Sequence, residues 1–122
     1  MLGFQITIFG SPEGGPLAVS FDSANASLAA LPRMFIEPDG SFVWRGSTPE
    51  GQPWQVDGNL IDRGDVLAYV ELQGCCPVER FDEILRALGW PEARLAFQLP
   101  RRGVYLAEDE FRRLATSESG AM

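Results

Sequence analysis

Histidine and lysine are both absent from this chain of 122 residues. Without histidine the chain lacks the usual general base near neutral pH and a common metal ligand. Without lysine it has no Schiff-base amine. Its only side-chain cations are ten arginines. Cysteine is nearly absent as well, limited to the adjacent pair Cys75-Cys76. Two adjacent cysteines are neither a disulfide framework nor a C-x-x-C redox motif. Their Cα atoms lie about 3.8 Å apart, below the roughly 4.4–6.8 Å that disulfides span without strain. There is no glycine-rich phosphate loop with a lysine, and Gly14-Gly15-Pro16 reads as a turn. No apolar run approaches the roughly 20 residues of a membrane helix. The first residues lack the basic region and long apolar core of a signal peptide. The expectation is a cytoplasmic chain with reduced thiols and no cofactor.

A basic excess is also missing. Seventeen acidic residues outnumber the ten arginines, giving a net charge of −7. Such a field repels nucleic acid and anionic membrane surfaces. It suits a basic protein site, or it serves solubility alone. Free use of arginine, alanine, glycine and proline fits the codon bias of a GC-rich genome, as in a small bacterial-type domain, and explains the missing lysine without reference to function. The remaining composition, 45% hydrophobic and 22% charged, is that of an ordinary globular protein. A chain of this size buries roughly two thirds of its unfolded surface, enough for a core without metal or disulfides. One domain is expected over residues 1–115, with a small polar tail over 116–122.

The hydrophobic pattern predicts an α+β fold. Phe4, Ile6 and Ile8 alternate, as do Leu17, Val19 and Phe21 across the loop 10–16, which predicts a hairpin. Asp22-Ser23 is placed to cap an alanine-rich helix ending before Pro32. Phe35-Ile36 and Phe42-Val43-Trp44 flank Asp39-Gly40, a strong hairpin signal. Extended segments follow from Trp54 through Ile61 and, after Asp62-Arg63-Gly64-Asp65, from Val66 to Leu72. Together they form a β-meander over about 33–73. Asp39–Gly46 and Asp57–Gly64 share the pattern Asp-Gly, polar, two apolar, any, Arg-Gly. This echo reads as repeated turn chemistry within the meander. Phe81, Ile84, Leu85 and Leu88 make a helical stripe behind Pro77, with Gly89 as its left-handed cap. Leu95, Phe97 and Leu99, a turn at Pro100–Gly103, a return strand at 104–106 and a helix carrying Phe111 complete the chain. The sheet should be mainly antiparallel, with two or three helices on one face or end.

Three groups of residues are candidates for function. Cys76, with Cys75, comes first. If Pro77 opens the helix, Cys76 is its N-cap, where free N–H groups stabilise a thiolate. The alternative is a cysteine acting as a small buried hydrophobe. Trp44, Arg45 and Trp54 form the second group, flanking the loop 47–53. Tryptophan and arginine are enriched at binding hot spots, although alternation also directs such indoles to the core. Asp57, Asp62 and Asp65 surround one turn but lack the ligand spacing of a calcium loop, and no metal site is assigned. Arg63-Gly64-Asp65 is attributed to turn propensity. The chain therefore reads as a non-catalytic binding domain for a protein partner or a second copy of itself, including a homodimer. Two alternatives stand beside it. One is a thiol-dependent enzyme or redox sensor using Cys76. The other is an acidic inhibitor or immunity-type protein that covers a basic site.

Overall fold

A computed structural model of the chain describes residues 1–99 and 105–120, with side chains through Ala115. Seven strands and three helices follow in the order β1 (Leu2–Phe9), α1 (Phe21–Ala29), β2 (Met34–Ile36), β3 (Ser41–Ser47), β4 (Pro53–Arg63), β5 (Val66–Cys76), α2 (Val78–Ala87), β6 (Ala96–Gln98), β7 (Tyr105–Ala107) and α3 (Glu108–Gly120). The strands form one sheet in the order β2-β3-β4-β5-β1-β6-β7, and every neighbouring pair is antiparallel. The fold is α+β, and the meander from β2 to β5 is as expected. The predicted turn at Pro100–Gly103 and the strand residue Val104 lie outside the described residues. α3 continues to Gly120 and so includes residues 116–120 of the expected tail.

Alternation divides the sheet into two faces. Even-numbered positions of β1, β3 and β4 (Ile6, Ile8, Phe42, Trp44, Val56 and Leu60) are buried, together with Val70 and Leu72 of β5. They face the helices. Phe81 of α2 is the centre of this layer, with its ring 5.1 Å from Phe4, 6.4 Å from Phe97 and 5.7 Å from Phe111. Phe81, Ile84, Leu85 and Leu88 are fully buried, whereas Val78 is exposed. The cap after α2 is as expected: Gly89 has φ 102°, and Trp90 N–H donates to Leu85 O at 3.0 Å.

The structure corrects four local expectations. The segment 17–20 is not a strand, and β1 pairs instead with β5 and β6. Only Leu17 joins the sheet region, through its N–H to Leu67 O at 2.9 Å. The cap of α1 is Ser20 rather than Asp22 or Ser23, and its Oγ accepts from Ser23 N at 3.1 Å. That capping bond outweighs three alternating apolar residues and makes Phe21 helical. The two Asp-Gly echoes are not equivalent. Asp39-Gly40 turns the chain, but Asp57-Gly58 continues straight through β4. Finally, Val66 is exposed while Leu67 and Ala68 are both buried. The β4–β5 register shifts beside Ile61 and Asp62, with Asp62 opposite Leu67 and Ile61 opposite Tyr69. Ala68 is the extra residue of a bulge, which moves the alternation by one.

Gly58 explains how β4 runs straight through an Asp-Gly pair. It lies between Phe42 and Leu72 on the helix-facing side. A Cβ there would sit 2.2 Å from Cζ of Phe42. The aromatic ring takes the space that a side chain would occupy.

Candidate functional site

Among the described residues, the three helices leave the second face of the sheet uncovered. Odd-numbered residues of β1, β3, β4 and β5 point there, in register across the strands. One row runs Phe35, Val43, Asp57, Gln73, Gln5. A second runs Ser41, Asn59, Glu71, Thr7, Gln98. A third runs Arg45, Gln55, Cys75, Gly3. Direct cross-strand partners share a face and touch, so these rows form a continuous polar surface.

The centre of this surface is acidic. Asp57 and Glu71 are exposed. Asp57 stands opposite Gln73 and Glu71 opposite Asn59, so the two acids occupy diagonal positions whose Cα atoms lie roughly 7–8 Å apart. Gln55 Nε2 donates to Asp57 Oδ1 at 3.0 Å, while Glu71 has no partner among the described residues. Glu37 stands at the margin beyond Phe35. Arg45 is the one cation in the three rows and sits at a corner. Apolar groups bound the acidic centre. Phe35, 67% exposed, and Val43 lie toward the β2 edge. At the other end Phe9 holds Tyr69 and Tyr105, with ring centroids 5.5 and 5.4 Å away. Two adjoining depressions mark the face. One, of ≈ 510 Å³, is lined by Gln5, Thr7, Asp57, Asn59, Glu71 and Gln73 among others. The other, of ≈ 940 Å³, extends past Gln55 and Cys75 to Arg45. They share Gln5 and Asp57.

The residues singled out in the sequence fall on both sides of the sheet. Trp44 and Trp54 do meet, edge to face, with ring centroids 5.2 Å apart. Both are core residues, 2% and 8% exposed. Trp44 Nε1 donates to Pro32 O at 2.8 Å, which satisfies its polar end. Arg45 stands on the opposite side of β3 from Trp44, so the buried indoles do not make an exposed patch with it, although all three line one cleft at the end of β3. Cys76 is not the N-cap of α2. It is the last residue of β5, fully buried, and Pro77 holds the cap position. Burial, with smaller contributions from neighbouring charges, pushes its thiol up to about 12. Cys75 faces the open side and is partly exposed. Asp57 and Asp62 lie five residue steps apart on one strand, about 16 Å, so one ion cannot take both with Asp65. Among the described residues no group of three His, Cys, Asp or Glu side chains is placed to hold a metal ion. No helix among them is long and apolar enough to cross a membrane.

The open face was not identified from the sequence, although a signal for it was present. Trp54-Gln55-Val56-Asp57 and Val70-Glu71-Leu72-Gln73 alternate strictly, which marks strands wet on one side. No protein-family model, curated protein or solved structure matches the chain.

Proposed function

We propose that this chain is a binding domain that takes a basic protein segment on the uncovered face of its sheet. The supporting observation is the Asp57–Glu71 pair at the centre of a face that no helix covers. Two like charges placed diagonally on adjacent strands repel each other. An arginine or lysine from a partner placed between them would relieve that repulsion and form charge-assisted hydrogen bonds. The surrounding glutamine and asparagine side chains offer both donors and acceptors to a partner's backbone. Phe35 and the Phe9–Tyr69–Tyr105 group provide apolar contacts at the two ends. The net charge of −7 would steer a basic partner toward the domain at low salt.

This reading joins the binding-domain and acidic-inhibitor expectations into one surface. The thiol-dependent alternative receives no comparable support, because Cys76 is sealed in the core. The test is affinity for an arginine-rich peptide of about ten residues as a function of salt. Binding should weaken steeply with salt, and Asp57→Asn with Glu71→Gln should weaken it by at least about tenfold. Salt-independent binding, or binding unaffected by the double substitution, would count against the proposal.

A further inference from the structure

A second surface, at the corner where α1 leads into β2, has the opposite charge. A cleft of ≈ 390 Å³ opens there, between the end of β3 and the first turn of α2. Three arginines from three separate parts of the chain line it: Arg33 before β2, Arg45 on β3 and Arg80 on α2. One carboxylate, Glu79, lies on the same rim. Arg33 and Arg45 make no ion pair among the described residues, and Arg80 pairs only with Glu83, at 3.2 Å within its own helix. A protein with an excess of seven negative charges has carboxylates enough for these arginines, yet two of them face the cleft unpaired.

The corner is held in place. Arg33 is the one non-glycine residue with positive φ among the described residues, at 64°. That conformation is costly for an L-residue and persists where the surroundings impose it. The constraint is visible on both sides of Arg33. Trp44 Nε1, from the core, bonds Pro32 O at 2.8 Å, and Met34 N–H donates to Leu31 O at 3.2 Å. Arg33 is therefore presented by a fixed backbone and not by a loose loop. A guanidinium offers five donors in a planar fork suited to tetrahedral oxyanions. The cleft volume lies within the range of small-ligand sites and is far too small for a duplex or a folded partner.

We propose that this cleft binds a phosphate group, either as the free ion or as the head of a small phosphate monoester, through Arg33, Arg45 and Arg80. The local cations oppose the field of the whole molecule over a distance shorter than a Debye length. The site adjoins the sheet face at one corner, where Arg45, Gly46 and Trp54 line both this cleft and the larger depression of that face.

Trp44 and Trp54 line the cleft, so indole fluorescence reports its occupancy. The experiment titrates the purified chain with inorganic phosphate and with glycerol phosphate at low ionic strength. Arg33→Gln, Arg45→Gln and, as a charge-matched control, Arg63→Gln are titrated alongside. Circular dichroism confirms that each variant is folded. Saturation by both ligands assigns a monoester site, and saturation by inorganic phosphate alone assigns a free-ion site. In either case Arg33→Gln and Arg45→Gln should each bind at least about tenfold more weakly, and Arg63→Gln should bind as the parent does. The absence of a saturable response to either ligand would overturn the proposal. So would an equal loss in Arg63→Gln, which would show that binding follows overall charge and not this cleft.

Discussion

Arg112 of α3 donates to Asp82 of α2 at 2.6 Å and joins two helices that share no chain connection shorter than two strands. The same guanidinium lies 5.3 Å from the ring centroids of both Phe81 and Trp90. Its Nε contacts the Glu108 carboxylate as an ion pair rather than an aligned hydrogen bond. The other oxygen of Glu108 accepts from Trp90 Nε1 at 3.1 Å. One arginine thus links two carboxylates and two aromatic rings over the end of the core.

Arg112→Met would keep much of the packing over Phe81 and Trp90 but leave Asp82 and Glu108 without their cation. Both acids are mostly shielded, at 22% and 27% side-chain exposure. Losing one partner of a fully buried pair costs about 3–5 kcal/mol. Partial solvent screening reduces this to an expected loss of about 1–3 kcal/mol. Urea denaturation followed by circular dichroism measures it. A loss below about 0.5 kcal/mol, the range of ordinary surface changes, would show that the linkage does not hold α3.

Gly58→Ala tests the close approach of Phe42. The added methyl would overlap the ring, since its nearest atom stands 2.2 Å away. Overpacking of this kind costs about 1–3 kcal/mol. Phe42→Leu is destabilising alone but should recover part of the loss when combined with Gly58→Ala. A double-mutant cycle in urea measures the coupling. Strictly additive effects would mean that the ring does not occupy the glycine's space.

The two cysteines should behave differently. Cys75 is partly exposed and should react with a thiol reagent in the folded protein at pH 8. Cys76 should react only after unfolding. Its raised pKa has a consequence for stability. Below the unfolded-state pKa, near 9, both states keep the proton and the neutral thiol does not disturb folding. Between about 9 and about 12 the unfolded state loses the proton first, so stability falls as pH rises, by up to about 1.4 kcal/mol per unit. A Cys76→Ala variant should show a shallower decline over this window. Equal declines in the two proteins would contradict the assigned burial.

Much of the architecture was legible because strong local signals agreed with the tertiary fold. Asp39-Gly40 set the β2–β3 register, and the stripe from Phe81 to Leu88 with Gly89 fixed α2 and its end. The misreadings occurred where a short pattern competed with a neighbour. Three alternating residues at 17–21 lost to the Ser20 cap, and alternation from Val66 missed the bulge at Ala68. The site was less legible for a different reason. The tryptophans drew attention as hot-spot residues, yet each sits at an even position, on the side the helices bury. The centre of the open face is glutamine, asparagine, aspartate and glutamate, none of them distinctive in sequence. Only the pairing of strands brings them into rows. Likewise Arg33, Arg45 and Arg80 become neighbours only when β2, β3 and α2 meet at one corner.

The central claim is that the uncovered sheet face is the binding surface. The most direct measurement is backbone amide chemical-shift mapping of the labelled protein during titration with the arginine-rich peptide. The claim predicts saturable shifts concentrated at Gln5, Asp57, Asn59, Glu71 and Gln73, with little change across α1 and α2. Shifts confined to the helices, or spread evenly over every exposed acid, would contradict it.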